Sequence, residues 1–284
     1  MICVGPGTGC AVGLKLLPAS AFPIGKSSRC TLLNSLVSIK LPSNVSLCTM
    51  DAVESAKNKA ASMAVDLHIK DNFRIGIGSG STVVYAVQRL AERVKSEGLK
   101  VVCVPTSFQA RQLIIENNLP LTDLEITPQL DVCIDGADEA DSSLCLIKGG
   151  GGCLLQEKVV ASVSDQFVVI ADYRKKSTHL GEQWSKGVPV EVVGMAYRPV
   201  ASAIERLLGG KAVLRQAKAK AGPVVTDNGN LLLDWIFEGR HDWKAVNSTI
   251  KMIPGVVETG LFVNMARVAY FGMEDGSVSE VKMD

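Results

Sequence analysis

Residues 75–83 read Ile75-Gly76-Ile77-Gly78-Ser79-Gly80-Ser81-Thr82-Val83, a short apolar strand that runs into a glycine turn and then into the start of a helix. Short runs rich in Val and Ile alternate in this way with segments of helical period from Asp51 to about Ile170. The first predicted elements are a helix near 53–67, a strand at 74–77 and a helix from 81 to about 95 that Gly98 ends. Strands joined by crossover helices are typical of a parallel sheet with helices on both faces. We therefore predict an α/β fold built on a Rossmann-like, doubly wound parallel sheet.

The pattern changes beyond Val188 and predicts a smaller α+β lobe. Apolar runs at 224–226 and 231–233 flank Asp227-Asn228-Gly229-Asn230, in which Asn-Gly favours a hairpin turn. A helix follows, and then comes a closing pair of strands. These elements are expected at 243–250, 256–263 and 267–271. The predicted domains are a catalytic domain at 50–187, the α+β lobe at 188–265 and C-terminal strands at 266–284 that return to the main body.

The first 49 residues form a separate compositional segment. Residues 1–50 contain no Asp or Glu, four basic residues and seven serines, whereas acidic residues begin at Asp51 and recur to the end. Transit peptides have this composition, and the single Arg29 favours a plastid over a mitochondrion. We expect residues 1–49 to be a disordered transit peptide and the protein to act in the chloroplast stroma. A disordered tail with no targeting role is the alternative.

Composition excludes several classes of function. The 284 residues carry 30 Lys and Arg against 29 Asp and Glu, so the overall field attracts neither nucleic acid nor anionic lipid. Every apolar run is interrupted before the length of roughly 18 residues that a membrane span needs. The eight cysteines show no CxxC spacing, and the three histidines show no ligand-like spacing. We therefore expect no nucleic-acid partner, no membrane contact and acid–base chemistry without a metal.

The glycine turn at 76–82 is a candidate phosphate site. Backbone amides and hydroxyls converge where the helix starts at Ser81-Thr82, and a helix N-terminus favours an anion. Val83 stands where a dinucleotide loop has its third glycine, and the Gly-Lys-Ser/Thr ending of a triphosphate loop does not occur. The turn indicates a phosphate ligand of another kind, with a tight turn that binds nothing as the alternative.

Two charged clusters follow predicted strands. Asp135 and Asp138 come directly after the apolar run 132–134, and open α/β sheets collect functional groups at the carboxyl ends of their strands. We interpret this pair as carboxylates that handle hydroxyl protons, with a solvated Asp-Gly turn as the alternative. The basic cluster 172–176 follows the strand at 167–170 and fits either a phosphate contact or a charged surface loop.

The most specific run is Lys148-Gly149-Gly150-Gly151-Gly152-Cys153-Leu154-Leu155-Gln156-Glu157-Lys158. Four glycines let a backbone wrap closely around a ligand, and the apolar spacing that follows predicts a helix. Because helical side chains lean toward the N-terminus, the Glu157 carboxylate is aimed back at the loop. The alternative is that Glu157 and Lys158 are charges that face solvent.

Together these residues resemble the ribose-5-phosphate isomerase type A family over nearly all of 51–284. The seven similar segments, in the family's order, are 76–82, 105–107, 135–139, 148–158, 188–192, 225–230 and 253–262. The resemblance implies interconversion of D-ribose 5-phosphate and D-ribulose 5-phosphate through an enediolate, with no cofactor. It further implies a homodimeric plastid-type member that serves the pentose phosphate pathway and the Calvin cycle.

The resemblance also implies roles for individual residues. Glu157 would shuttle the proton between two carbons, Lys148 would stabilise the enediolate, and Asp135 and Asp138 would pass hydroxyl protons. The substrate-binding residues that it implies are Ser79, Gly80, Ser81, Thr82, Asp135, Gly136, Ala137, Asp138, Lys148, Gly149, Gly150, Gly151 and Lys175.

The sequence departs from the family pattern at a few positions. Ser79 stands where threonine is usual, and Tyr173-Arg174 replaces a small or acidic residue followed by serine. The family's amino-terminal lysine corresponds to either Lys57 or Lys59. Other interpretations are a sugar-phosphate deaminase or an acyl-CoA transferase on a related scaffold, or a catalytically silent sugar-phosphate-binding protein.

Overall fold

The computed structural model describes residues 45–283. The described residues form one compact unit. Most of the predicted leader, residues 1–44, lies outside the described residues, and the first helix, α1 (Val45–His68), begins eight residues before the predicted start at Val53. In the described part, no helix is long and apolar enough to cross a membrane.

The main sheet has six strands. In chain order, the strands of this sheet are β1 (Arg74–Ile77), β2 (Val102–Pro105), β3 (Leu130–Asp135), β6 (Ser164–Asp172), β12 (Val268–Gly272) and β13 (Val278–Lys282). Besides α1, the helices of the main body are α2 (Ser81–Glu97), α3 (Phe108–Glu116) and α4 (Leu154–Ser162). The spatial order is β13-β12-β6-β3-β1-β2, in which only β13 is antiparallel to its neighbour. The predicted fold class, an α/β doubly wound parallel sheet, is confirmed.

Local sequence signals set the helix ends near the site. Gly98 ends α2 in the left-handed region at φ 71°, and its N–H donates to the Val94 carbonyl. Ser107 begins α3, where its hydroxyl accepts the Ala110 N–H as an N-cap. The end at Gly98 was expected from the sequence, and Ser107 is a residue type that favours the N-cap position.

Apolar layers cover both faces of the main sheet. One layer lies between the sheet and α1, α2 and α3, and its buried members include Ile75, Leu90, Ile114, Val168 and Tyr270. The other layer lies under α4 and includes Cys133, Val160, Phe167, Val169 and Phe271. Helix α1 lies so close to β12 that a Cβ at Gly272 would overlap the Ala56 carbonyl.

The smaller lobe is inserted in the chain between the neighbouring strands β6 and β12. Its helices are α5 (Tyr197–Leu208) and α6 (Trp243–Lys251). Its antiparallel sheet has the order β10-β7-β9-β8, formed by β7 (Val188–Val192), β8 (Lys211–Leu214), β9 (Leu231–Ile236) and β10 (Val256–Thr259). A third sheet, β11-β5-β4, is formed by β4 (Glu139–Ala140), β5 (Leu146–Ile147) and β11 (Leu261–Phe262).

The structure corrects two predicted pairings. The hairpin turn forms, because Thr226 N–H donates to the Asn230 carbonyl, but its first arm is reduced to a single bridge from Val225 to Leu231. The reason is that β7 and β8 already pair with β9 on its two sides.

The predicted strand 256–263 does not pair with 267–271. It breaks at Gly260, where any Cβ would overlap the Lys148 carbonyl. The two halves, β10 and β11, therefore enter different sheets.

The sheet order creates one topological switch point. From β1 the chain moves to β2 on one side and then to β3 on the other side. The loops after β1 and β3 therefore leave in opposite directions and open a crevice between them, which is where open α/β sheets bind their ligands. The glycine turn after β1 and the acidic turn after β3 both lie at this crevice.

Candidate active site

A cavity of about 260 Å³ occupies the switch point. Its wall combines the turn after β1, the turn after β3, the glycine loop before α4 and the segment after β6. The residues that line it are Lys57, Ser79, Gly80, Ser81, Thr82, Gln109, Gly136, Ala137, Asp138, Lys148, Gly149, Gly150, Gly151, Cys153, Glu157, Asp172, Arg174 and Lys175.

One end of the cavity is the N-terminus of α2. Gly80 precedes the helix at φ 110°, a conformation that glycine adopts without strain, and no side chain of the described residues caps the helix there. The Ser79 N–H donates to Asp135 Oδ1 at 2.9 Å, and the Ser79 hydroxyl contacts the Thr106 and Ser107 hydroxyls at 2.9 and 2.6 Å. The uncapped amides and the helix dipole favour an anion at this end.

Three cationic side chains reach the same cavity. Lys57, in α1, is 9% exposed and pairs with Glu54 at 2.7 Å. Lys175 lies in a short 3-10 turn after β6, with its ammonium 5.5 Å from the Trp184 ring centre. Arg174, in the same turn, donates through Nε to the buried Asp172 at 2.7 Å. The cavity therefore has a positively charged portion suited to a phosphate group.

Another part of the cavity contains a buried carboxylate, Glu157. Leu154, Glu157, Val160 and Ala161 are the buried residues of α4, so the packing of this helix against the sheet buries the carboxylate as well. Glu157 Oε1 lies 3.3 Å from Lys148 Nζ, and within residues 45–283 its Oε2 has no hydrogen-bond partner. A buried carboxylate with one free oxygen at a cavity wall can accept a proton from a ligand.

Lys148 connects Glu157 to Asp135. Its Nζ lies 3.0 Å from Asp135 Oδ2 and donates to the Gly136 carbonyl at 2.5 Å. The backbone of Lys148 is fixed by the third sheet, where its N–H donates to the Gly260 carbonyl. Asp135 is fully buried behind the cavity, and a Cβ at Gly78 would overlap its carboxylate. Glycine is therefore required at position 78 for this arrangement.

Burial and charge shift the titration of this group. Burial raises the pKa of Glu157 to about 8, Asp135 adds to the rise, and Lys148 opposes it. Burial alone would lower the pKa of Lys148, but the charges of Asp135 and Glu157 together hold that pKa above its ordinary value. Two carboxylates facing one ammonium thus give Glu157 the character of a strong base that is ready to hold a proton.

The glycine loop is held from the cavity side by Asp138. The Gly150 N–H donates to Asp138 Oδ2 at 2.6 Å. Burial raises the pKa of Asp138, while the Gly150 N–H and Lys148 counter this rise. Asp138 therefore combines a structural hydrogen bond with a carboxylate exposed to the cavity.

The structure brings nearly all of the predicted site residues to one cavity. Those that line it are Ser79, Gly80, Ser81, Thr82, Gly136, Ala137, Asp138, Lys148, Gly149, Gly150, Gly151, Glu157 and Lys175. Asp135 lies behind the wall and contacts Lys148. Of the two alternative lysines, Lys57 lines the cavity, whereas Lys59 donates to the Gly276 carbonyl at 2.6 Å and lines a different surface depression.

Four cavity residues were not among the predicted site residues, although Asp172 and Arg174 belong to the basic cluster 172–176 and Cys153 to the run 148–158. Gln109 accepts the Gly80 N–H at 2.8 Å, Cys153 forms the N-cap position of α4, and Asp172 and Arg174 form the ion pair after β6. The run Pro105-Thr106-Ser107 was the available signal for Gln109, because it places the first turn of α3 at the same sheet edge. A metal was not expected, and the described residues contain no group of three His, Cys, Asp or Glu side chains placed to hold one.

The cavity at the switch point combines a helix N-terminus that favours an anion with a buried carboxylate that can accept a proton. These features define a class of protein: α/β enzymes that perform acid–base chemistry on a small anionic molecule. The model of the family described as ribose 5-phosphate isomerase A (phosphoriboisomerase A) matches residues 102–276. The chain belongs to this family, and the resemblance found in the sequence is confirmed.

Individual relatives agree with the family match. Ribose-5-phosphate isomerase of Homo sapiens is 60% identical over 231 residues, which cover 81% of this chain and 74% of the human protein. The protein of the same name from Dictyostelium discoideum is 55% identical over 229 residues, covering 80% and 97%.

Solved structures show the same fold. Ribose 5-phosphate isomerase A from Methanocaldococcus jannaschii matches with a TM-score of 0.75 and 40% identity over 82% of this chain and 99% of that one. A D-ribose-5-phosphate isomerase in complex with phospho-erythronic acid matches with a TM-score of 0.77 and 37% identity over 81% and 99%.

Proposed function

We propose that this protein interconverts D-ribose 5-phosphate and D-ribulose 5-phosphate, with Glu157 as the proton shuttle. The observation that carries the proposal is the buried Glu157 carboxylate, 3.3 Å from Lys148 and with a free oxygen, in the same cavity as an uncapped helix N-terminus. The family membership and the names of the relatives support this reaction.

The phosphate of the substrate binds at the start of α2. The amides of the first turn and the hydroxyls of Ser81 and Thr82 surround this end, with Lys57 and Lys175 as the charged partners. A phosphate held at this end directs the carbonyl end of the open-chain sugar toward the glycine loop and Glu157. The binding energy of the phosphate thus positions the reacting carbons.

The proton transfer needs one base that reaches two neighbouring carbons. Glu157 removes the proton from C2 of the aldose, and the electron pair forms the enediolate as the C1 carbonyl oxygen gains negative charge. Glu157 then returns the proton to C1, while the hydroxyl proton moves from O2 to O1. Lys148 and the glycine-loop amides stabilise the oxygen charge, and Asp138 is placed to carry the hydroxyl proton.

A ligand of a related structure fits this arrangement. One ribose-5-phosphate isomerase that is 37% identical to this chain was solved with phospho-erythronic acid. This ligand carries a phosphate and, at its other end, a planar carboxylate that resembles an enediolate in shape and charge. It therefore supports an anion site at one end of the cavity and an oxyanion site at the other end.

Replacement of the shuttle tests the proposal. We expect Glu157→Gln to lower kcat about 10³-fold or more, because a general base contributes on the order of 10²–10⁴ and no other carboxylate takes its position. The Michaelis constant should change little, since the phosphate anchor is intact. The assay is conversion of ribose 5-phosphate by the full chain, coupled to consumption of ribulose 5-phosphate, with and without a chelator.

The matched control is Glu116→Gln, which changes an exposed glutamate at the end of α3. This variant should retain wild-type activity. Wild-type turnover by Glu157→Gln would remove the shuttle role. A wild-type protein that binds ribose 5-phosphate without converting it would indicate a silent sugar-phosphate-binding protein, and release of ammonia or CoA would indicate a deaminase or a transferase.

We propose that residues 1–49 direct the protein to the plastid stroma, where it would serve the pentose phosphate pathway and the Calvin cycle. The support is compositional: no acidic residue and seven serines within residues 1–50. A fluorescent protein fused behind these residues should accumulate in chloroplasts of plant cells, and a fusion that stays in the cytosol would contradict the proposal.

We propose further that the active form is a homodimer. Exposed apolar side chains support an association surface: Phe108 is 64% and Val159 43% exposed, and they line two depressions that share Pro105 and Gln156. Light scattering coupled to size-exclusion chromatography should give twice the mass of one chain, whereas the mass of a single chain would contradict the proposal.

A further inference from the structure

The glycine loop that faces Glu157 is also held from the side away from the cavity. Arg215, which follows β8 in the smaller lobe, does not line the cavity. Its Nη1 donates to the Gly149 carbonyl at 2.9 Å and to the Gly150 carbonyl at 3.2 Å. One guanidinium nitrogen thus holds two successive carbonyl groups of the loop.

Arg215 is itself firmly placed. Its Nε and Nη2 donate to the two carboxylate oxygens of Asp234 at 2.9 and 2.5 Å, and both side chains are mostly buried. Its backbone N–H donates to the Leu232 carbonyl, and its own carbonyl accepts the Val224 N–H. A bidentate pair on a fixed backbone gives the guanidinium a single orientation.

The planarity of the peptide bond turns this contact into a constraint on the cavity. In a trans peptide the carbonyl and the next N–H point in opposite directions, so a Gly149 carbonyl directed at Arg215 turns the Gly150 N–H toward the cavity side. The structure shows this result directly, because the Gly150 N–H donates to Asp138, a cavity residue.

The same geometry applies to the next peptide group. Since the Gly150 carbonyl is directed at Arg215, the Gly151 N–H also points toward the cavity, which Gly151 lines. Within residues 45–283, no carbonyl or side chain accepts this N–H. It is therefore an amide of the loop that is free to meet an oxygen of a ligand. Glycine peptide groups rotate easily, and within residues 45–283 the Gly150 carbonyl has no hydrogen-bond donor other than Arg215.

We propose that Arg215 is a positioning residue: by holding the Gly149 and Gly150 carbonyls, it keeps the Gly151 N–H directed at the oxygen on which the enediolate charge develops. The Gly149 carbonyl also accepts the Gly152 N–H, and the Gly150 N–H is held by Asp138, so the peptide group that depends on Arg215 is the one between Gly150 and Gly151. Without Arg215, this peptide group is free to rotate and present its carbonyl to that oxygen, which repels it. This inference rests on the proposed isomerase function. It assigns to the smaller lobe a part in stabilising the intermediate that neither Lys148 nor Asp138 supplies.

The test is Arg215→Gln in the full chain, with kcat and KM for ribose 5-phosphate measured separately. A mispositioned hydrogen-bond donor lowers the rate less than removal of the base does, so we expect kcat to fall about tenfold to hundredfold. KM should change by less than about threefold, because the phosphate is bound at α2, away from Arg215. Arg215→Lys, which can reach one carbonyl but not hold both, should recover part of the loss.

Ligand binding separates positioning from a general loss of structure. In Arg215→Gln, the affinity for phospho-erythronic acid should fall together with kcat, while the affinity for inorganic phosphate should stay at the wild-type level, both measured by calorimetry. The matched control is Arg206→Gln, an exposed arginine of α5 in the same lobe, which should leave kcat and both affinities unchanged.

The outcomes distinguish this inference from the proposed function. If the wild-type protein does not convert ribose 5-phosphate, the proposed function fails. If the wild type is active and Arg215→Gln keeps its kcat, or loses both affinities equally, the positioning role is overturned. If neither Arg215→Gln nor Arg215→Lys folds, as judged by circular dichroism, Arg215 is a structural residue and the role is likewise overturned.

Discussion

At the scale of single residues, one ammonium group faces two carboxylates. Lys148 lies 3.0 Å from Asp135 and 3.3 Å from Glu157, and all three side chains are buried. One carboxylate balances the charge of Lys148, but the second carboxylate has no further cation, and the excess negative charge disfavours the ionised form of Glu157. Glu157 is also the residue with a free oxygen at the cavity.

This imbalance predicts a pH-dependent stability difference between the wild type and Glu157→Gln. The pKa of Glu157 is raised from 4.5 to about 8 in the folded protein. Between these pH values the folded protein holds a proton that the unfolded chain has released, so the contribution of this residue to the free energy of unfolding falls as pH rises. Glutamine cannot lose a proton, so the variant should melt at an increasingly higher temperature than the wild type from pH 5 to pH 8.5.

Calorimetric melting at several pH values checks this prediction. The Glu116→Gln variant serves as the reference, because its side chain is exposed and its melting difference from the wild type should be the same at each pH. A Glu157→Gln difference that is constant or that shrinks as pH rises would show that position 157 does not bind the extra proton.

Activity should have the opposite dependence on pH. The free enzyme needs ionised Glu157 to remove a proton, so kcat/KM should rise with pH through an apparent pKa near 8. This apparent value belongs to the coupled group of three charges rather than to one carboxyl. A kcat/KM profile that is flat from pH 6 to pH 9 would contradict the assignment of Glu157 as the base.

The sequence predicts those site residues whose local pattern carries the information. Glu157 could be predicted because four glycines and a helix start precede it, and helix geometry fixes the direction of its side chain. Lys57 could not be separated from Lys59, because the choice depends on which face of α1 meets the sheet. Arg215 had no local signal, because its role depends on contact with a loop 65 residues earlier.

At the scale of elements, strands and helix ends were predictable and strand partners were not. β1 was predicted with its observed bounds, Arg74–Ile77, since a short apolar run followed by glycines has one interpretation. The predicted strand at 256–263 divides at Gly260 because the Lys148 and Pro189 carbonyls approach there. Such an approach is a property of the folded chain, and no local pattern in the sequence encodes it.

The turn at 226–230 shows how one element of the lobe reaches the catalytic part. The buried Glu191 Oε1 accepts hydrogen bonds from Thr226, Asn228 and Asn230 and so fixes the turn. From this turn, Asp227 accepts the Phe108 N–H at the start of α3, and Asn228 accepts a hydrogen bond from Gln156, the neighbour of Glu157. The turn predicted from Asn-Gly thus has a second purpose in joining the lobe to two helices of the site.

At the scale of the whole molecule, the smaller lobe is bound to the main sheet at both of its ends. It leaves from β6 and returns into β12, two strands that pair in parallel. The predicted domain boundaries at 187 and 265 stay a prediction. Across them, Arg215 of the lobe contacts the glycine loop, and Asp227 of the lobe contacts the start of α3. Two covalent connections and these hydrogen bonds favour unfolding of the lobe together with the sheet.

A denaturant titration tests this cooperativity. Of the three tryptophans, Trp235 and Trp243 lie within the lobe, whereas Trp184 precedes β7 and lies against Gly150 and Lys175, so their fluorescence reports the lobe together with its contact to the glycine loop. Far-ultraviolet circular dichroism reports all helices and strands. We expect the two midpoints to coincide, as in a two-state transition. An earlier fluorescence transition would show that the lobe melts as an independent domain.

The contact of α1 with β12 brings the beginning of the described chain against its end. Gly272 lies directly on the α1 backbone at Ala56, and β12 also covers the edge of β6. On the ribosome, β6 is made long before β12, so its edge stays unpaired until almost the whole chain has been synthesised. A chain that ends before residue 268 would lack β12, and this edge of β6 would then have no strand to pair with.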